Sequence, residues 1–366
     1  MRKLSGVLVA LLMVLPLVAP ASARQGRAEP VQNAVAVARA KFFGKKNVNM
    51  ETGAVRKDKI LFSWFSVSSY AVAINGHVFL LDAWVARGSH SNYVPTTPKE
   101  VSLLEPEYIF VGHGDFDHAA DAAEIAALSG ATIVGTPEHC DSIKGQTEKE
   151  LKCLAAAPRG ATPGIRKDLN GLIPGVEISA VVHIHSSVEQ PEPADGYLPC
   201  PPLWNALDTA EHPPTPEDFE HLMNHLPDAR GGNILYQFRV GDFSFAHHDT
   251  TGKIDKDAPA AVETIERLPE TDVQFGSVLA FGQVTNCLRS LGLYIDALDP
   301  KVYAAMHHDN FTYFIGANAR DLEPLVRDEL ARIPKKDRPE LLYSYDPDDY
   351  LDASLFTFDP KDPRWD

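Results

Sequence analysis

Between Val111 and Asp121 the chain reads Val-Gly-His-Gly-Asp-Phe-Asp-His-Ala-Ala-Asp, and this run constrains the fold more than any other feature. His113, Asp115, Asp117 and His118 fall within six positions. They follow an apolar strand expected at Tyr108–Val111 and precede a helix expected at Ala119–Leu128, with Gly130 as its C-cap. An extended loop turns alternate residues to one side, so His113 and Asp115 converge on one point. Asp117 and His118 enter the helical turn and face a neighbouring point. Four such groups at the carboxyl end of a strand suit two cations sharing one pocket. Oxygen and imidazole donors without thiolate suit zinc, manganese or iron. The plainer reading is an acidic loop opening a helix, with two surface histidines.

The rest of the pattern favours the metal pocket. Further imidazoles and carboxylates stand where apolar runs stop: His183 and His185 after a strand, His247-His248-Asp249 after a hairpin, His307-His308 after Met306. Strand ends of this kind are where ligands bind in open α/β sheets. An Asn75-Gly76 turn joins two apolar runs into a hairpin, and Gly241-Asp242 turns a second hairpin over 233–248. Helices are expected at 30–43, 258–268, 284–297 and 320–332, with strands at 60–84, 131–134, 176–185, 272–279 and 301–306. This order suits an α/β domain with mixed sheets. Each half contains a hairpin ending in an Asp, Asp82 and Asp249.

Three segments stand apart. Arg2 and Lys3, the apolar stretch Val7–Val18 and Ala21-Ser22-Ala23 form a secretory signal peptide over 1–23, cleaved after Ala23. The mature chain is then secreted or periplasmic, without stable membrane insertion. Residues 186–232 are rich in Pro, Asp, Glu and His and read as an insertion into a single domain over 24–333. Directly after His185, it could roof the pocket; Tyr197, Leu203 and Trp204 read first as packing the insertion onto the body and second as apolar walls. Glu217, His221 and His225 share one helix face there, read as solvated and not as a third metal site. The acidic, Pro-rich tail 334–366 is expected to pack on the surface. In an oxidising compartment Cys140, Cys153, Cys200 and Cys287 allow three pairings, and the sequence does not choose among them. His90 and His139 read as surface residues. A formal net charge of −16 argues against a nucleic-acid partner.

The run His113-Gly-Asp-Phe-Asp-His118 resembles the His-x-His-x-Asp-His signature of the metallo-β-lactamase superfamily. The later order is similar too: a His after a strand, an Asp-Thr pair after a hairpin, then a late His. The branch of ascorbate-6-phosphate lactonase-like hydrolases looks nearest. The resemblance implies a four-layer αββα sandwich with two divalent ions, zinc first, at one edge. Carried over by position, His113, Asp115 and His185 would hold one ion. Asp117, His118 and His307 would hold the other, with Asp249 bridging. His185 is preferred to His183 because Ser186-Ser187 follows it. His307 is preferred to His308 because it follows Met306 and precedes Phe311 by four. Asp121, His183, His247, His248 and His308 would orient ligands by hydrogen bonds.

One departure matters. Asp115 stands where the signature has its second His, which removes a positive charge from the site and makes manganese or iron alternatives to zinc. The implied activity is hydrolysis of a lactone, ester, amide or phosphodiester by a metal-bridging hydroxide, with Asp249 bridging and Asp117 orienting the water. The partner is then a small-molecule substrate. No Gly-x-Ser-x-Gly elbow offers another nucleophile. The rival expectation is a secreted metal-binding or interaction protein whose altered signature has lost catalysis. The oligomeric state is not legible in the sequence.

Overall fold

A computed structural model of the chain describes residues 33–85, 94–186, 215–278, 288–309 and 319–365. The expected signal peptide, Tyr197, Leu203 and Trp204, Cys200 and Cys287, and His90 lie outside these residues.

The first strands are β1 (Ile60–Trp64), β2 (Tyr70–Ile74), β3 (His77–Leu81), β4 (Tyr108–Phe110), β5 (Thr132–Gly135), β6 (Lys152–Ala155) and β7 (Arg166–Asp168). The later ones are β8 (Glu177–His183), β9 (Asn233–Val240), β10 (Phe243–His248), β11 (Val273–Ser277), β12 (Val302–Met306), β13 (Glu340–Leu342) and β14 (Thr357–Phe358). They form two seven-stranded sheets, ordered β14-β1-β2-β3-β4-β5-β6 and β13-β12-β11-β10-β9-β8-β7. Each sheet has an antiparallel half and a parallel half. In the first, β14 to β3 pair antiparallel and β3 to β6 parallel. In the second, β7 to β10 pair antiparallel and β10 to β13 parallel. Both sheets thus repeat one topology.

Period-two alternation decides which face each side chain covers. Val302, Ala304 and Met306 enter the core between the sheets, whereas Tyr303 and Ala305 pack under the helices Arg289–Leu298 and Ala319–Ala331. Ile234, Tyr236 and Phe238 likewise point inward and Leu235 outward. Both faces are buried, so most strands read as continuous apolar runs. Aromatic rings fill the middle layer: Phe79 stacks on Phe238 at 5.3 Å, and Phe62 leans on Phe275 at 4.4 Å. Each such buried ring stabilises the fold by about 1.5–3 kcal/mol. On the outer side, Leu291, Tyr294, Ile295 and Leu298 form one buried stripe of their helix. Helices outside two facing sheets give the expected four-layer αββα order.

The hairpin turn is built as its sequence requires. Asn75 and Gly76 both have positive φ, 52° and 88°, the conformation whose twist suits a two-residue turn. Gly130 caps helix Ala122–Ser129 at φ 80°.

Two parts of the chain differ from expectation. Residues 334–366 are not a surface tail. They supply β13 to one sheet and β14 to the other, and Tyr350, Phe356, Phe358 and Trp365 are buried. The helix Pro137–Gly145 and strands β6 and β7 were not legible as elements, because β7 is exposed throughout and β6 nearly so at its start. The signal for the helix was Thr136-Pro137, an N-cap followed by Pro at the first turn.

Candidate metal centre

Strands β3, β4, β8, β10 and β12 deliver their following residues to one rim of the sandwich. Asp82 follows β3, His113 to His118 follow β4, His185 follows β8, Asp249 follows β10 and His307 follows β12. Among the described residues, three groups have ligand atoms within 4.8 Å of one another: His113, Asp115 and His185; Asp117, His118 and His307; and His113, His118 and Asp249.

The spacings separate ligand pairs from hydrogen bonds. Asp115 Oδ2 lies 3.5 Å from His113 Nε2 and 3.6 Å from His185 Nε2. Asp117 Oδ2 lies 3.4 Å from His118 Nε2 and 3.3 Å from His307 Nε2. These gaps are long for charge-assisted hydrogen bonds. They match the separation of about 3.3 Å between two ligands on a tetrahedral ion with bonds of about 2.0–2.1 Å. The first two groups therefore fit two ions. The third group differs. His113 Nδ1 lies 2.8 Å from Asp249 Oδ2, an ordinary hydrogen bond, and His118 Nδ1 lies 3.4 Å from the same oxygen. Those contacts orient the rings and leave each Nε2 for an ion. Asp249 Oδ1 is buried and without a hydrogen-bond partner among the described residues. Asp249 thus meets one histidine of each triad through Oδ2 and keeps a second carboxylate oxygen for a further ligand.

The rings are held from behind. Asp82 Oδ2 lies 3.1 Å from His118 Nδ1, and Ser68 Oγ, which donates to Asp82 Oδ2 at 2.6 Å, lies 2.8 Å from the same nitrogen. Asp82 Oδ1 accepts from Gly112 N at 2.9 Å. Ser68 sits in a turn whose preceding residues, Ser66 and Val67, have φ of 124° and 50°. A β-branched residue with positive φ is strained and persists only where its surroundings force it. Here Asp309 accepts from Val67 N at 3.0 Å, His307 N donates to Val67 O at 2.9 Å, and His247 Nε2 donates to Ser68 O at 3.0 Å. His307 itself has φ 57°, which turns its ring back toward Asp117 after β12. Gly112 has no alternative: a Cβ there would stand 2.1 Å from Asp249 Oδ2.

Charge follows this geometry. Burial alone would push the His113 imidazole down, but Asp249 and Asp115 outweigh it and raise it to about 9. His118 is buried too, yet Asp117 and Asp249 hold it well above the usual imidazole range. Against their own burial, Asp117 and Asp249 are held well below the carboxylate range by these rings. Burial, with the charges of His113 and Arg230, pushes His185 down to about 3, so it is a neutral donor at ordinary pH.

All seven expected ligands, His113, Asp115, Asp117, His118, His185, Asp249 and His307, come together at this rim. The supporting residues divide. His247 acts on the turn that carries Ser68. His248 bonds Thr250 O through Nδ1 at 3.2 Å and accepts from Gln274 at Nε2, so it fixes the chain after Asp249. His183 meets Tyr294 Oη at 2.7 Å. Asp121 accepts from Val85 N at 2.8 Å and lies 3.4 Å from His221 Nε2, so it fixes the segment after Asp82. His308 orients no ligand by these contacts: it stacks on Trp64 and bonds Ser344 O. The helix Pro216–His225 turns His221 onto the Trp84 ring, so that face is not simply solvated. His139 is not a surface residue. It is fully buried, and its Nε2 donates to Arg230 O. Asp82, Ser68 and Arg230 were not singled out from the sequence. The one signal for Asp82 was the pairing of the two hairpin-ending aspartates.

Known proteins share this frame. The family model for the metallo-β-lactamase superfamily matches residues 62–194. A UPF0173 metal-dependent hydrolase of Pyrobaculum neutrophilum is 39% identical over 75 residues, 20% of this chain and 32% of that protein. One from Methanopyrus kandleri is 29% identical over 139 residues, 37% of this chain and 53% of that protein. The chain thus spans about a third to a half of the length of these curated relatives. Igni18, a metallo hydrolase of Ignicoccus hospitalis, superposes with a TM-score of 0.50 at 14% identity, covering 78% of this chain and 95% of that one. At that identity the likeness concerns the fold.

Proposed function

We propose that this chain, a member of the metallo-β-lactamase superfamily, is an exported metal-dependent hydrolase acting on a small molecule with an electrophilic carbonyl or phosphorus. One observation carries the reading: two triads of donors at ligand spacing flank Asp249, whose second oxygen is buried and unpaired. Two divalent ions held there, zinc first and manganese or iron as alternatives, would supply Lewis acidity and an ionised water.

The chain's own residues do the rest. His113, Asp115 and His185 would hold one ion, Asp117, His118 and His307 the other, and Asp249 both. Asp249 Oδ2 and Asp82 fix the ring planes, so the donors need little rearrangement to bind. Asp117 lies between His118 and His307 and is buried at the rim. It is placed to take a proton from an attacking water and pass it to a leaving group. Lactone, ester, amide and phosphodiester all remain within this chemistry.

Export is supported by the charged start, the apolar stretch Val7–Val18 with Ala21-Ser22-Ala23 after it, and the Cys140–Cys153 disulfide. Exported protein should begin at Arg24 on N-terminal sequencing, and a start at Met1 would contradict this. The enzymatic reading is tested with a panel of lactones, esters, amides and phosphodiesters in added zinc or manganese. At least one substrate should turn over, with loss of about 100-fold or more in Asp117→Ala. A flat panel from metal-loaded protein would instead favour a metal-binding protein without catalysis.

A further inference from the structure

We propose that Arg230 is a positioning residue that makes Asp115 serviceable as a metal ligand in place of an imidazole. The inference rests on the reading of the rim as a two-ion site. Arg230 Nε lies 3.1 Å from Asp115 Oδ1 and 2.9 Å from Oδ2, and its Nη2 lies 2.9 Å from Oδ2. The guanidinium grips both oxygens, so the carboxylate has one orientation. In that orientation Oδ2 stands at ligand distance from His113 Nε2 and His185 Nε2. The guanidinium thereby sets which carboxylate oxygen faces the two imidazoles, as ring planarity does for a histidine. Charge is corrected as well. A third carboxylate removes one positive charge from the shell relative to an imidazole, and the guanidinium's charge returns it.

An exposed ion pair alone would be weak support, because half-exposed pairs contribute little. The backbone of Arg230 is what makes this one different. Its carbonyl accepts from Gly114 N at 2.8 Å and from His139 Nε2 at 2.9 Å. His139 Nδ1 accepts from Thr136 N at 3.1 Å, which places the ring proton on Nε2. His139 is fully buried. The contact is too close for side chains: a Cβ at Gly114 would stand 2.3 Å from Ala229 O, and one at Gly231 2.5 Å from the His139 ring. The segment 229–231 is thus locked to the ligand loop before its guanidinium reaches Asp115.

The test is metal binding, by zinc titration against a chromophoric chelator and by elemental analysis, with melting curves as the check on folding. Four variants are compared with the wild type: Arg230→Gln, Arg230→Lys, Asp115→His, and Asp115→His with Arg230→Gln. Arg230→Gln should hold one ion as tightly as the wild type and the other about 10- to 100-fold more weakly. Arg230→Lys, which keeps charge but not the fork, should fall between them. The double variant, with an imidazole and no guanidinium, should regain two tight ions and bind better than Asp115→His alone. A merely structural role for Arg230 would show no such rescue. Wild-type affinity for both ions in Arg230→Gln, or a double variant no better than Arg230→Gln, would overturn the proposal. Because binding is read without substrate, this result is separable from a hydrolysis panel: two Arg230-dependent ions with no turnover would support the inference while defeating the hydrolase reading.

Discussion

His113 shows how much a single side chain must satisfy here. One ring nitrogen is committed to Asp249, the other faces Asp115, and the ring is buried beside His118. The glycines on either side exist for the same reason: backbone must approach other groups more closely than any Cβ permits. This separates two glycines that look alike in the sequence. Gly112→Ala drives its methyl into the Asp249 carboxylate, so it should abolish tight binding of at least one ion. Gly130 has φ 80° with nothing within 4 Å of its missing Cβ. Gly130→Ala should cost about 1–2 kcal/mol in urea unfolding and leave metal content unchanged. Equal metal content in both variants would contradict the close approach of Gly112 to Asp249. The ligands were legible in the sequence because four of them fall within six positions and three more follow apolar runs. Ser68 and Arg230 were not, since their partners are distant along the chain and nothing in their neighbours differs from an ordinary turn. The surface reading of His139 fails because its partner Arg230 O lies 91 positions on, where the local sequence does not show it.

Among the elements, the helix Pro137–Gly145 has the largest role for its size. A capping box between Thr136 and His139 starts it, and the same His139 ring then supports Arg230. Only His139, Cys140 and Ile143 are buried, so the helix has little apolar contact of its own. The disulfide from Cys140 to Cys153, with Cα atoms 5.8 Å apart, ties it to β6 instead. Cross-linking across a sequence separation of 13 constrains the unfolded chain by about 3 kcal/mol. Cys140→Ser with Cys153→Ser should lose about that much stability in chemical unfolding without reducing agent. A loss below about 0.5 kcal/mol would show that the helix is held by packing alone. This pairing was one of the alternatives the four cysteines left open. The strained turn at Ser66–Ser69 is the counterpart on the other side of the site. It binds β1 and β2 to His307, His247 and His118, so both sheets contribute to holding the same rings.

At the scale of the molecule, the two sheets repeat one topology, and the two hairpin-ending aspartates occupy equivalent places. Asp82 follows β3 and Asp249 follows β10, each strand lying where its sheet passes from antiparallel to parallel. One has become a ring-orienting carboxylate and the other a ligand candidate, which explains why the faint similarity between the halves in the sequence marked both. The C-terminal segment finishes both sheets, a role hidden by its polar, Pro-rich composition and by strands of two and three residues. Neither sheet alone carries the seven ligands: four follow β4 in the first, and His185, Asp249 and His307 follow strands of the second. The central claim is therefore one of convergence across the sandwich. Elemental analysis of gently purified protein, joined to anomalous scattering at the metal edge, tests it most directly. Two ions are expected, one among His113, Asp115 and His185 and one among Asp117, His118 and His307, both within reach of Asp249. Less than about half an equivalent of metal, or ions sited away from these donors, would contradict it.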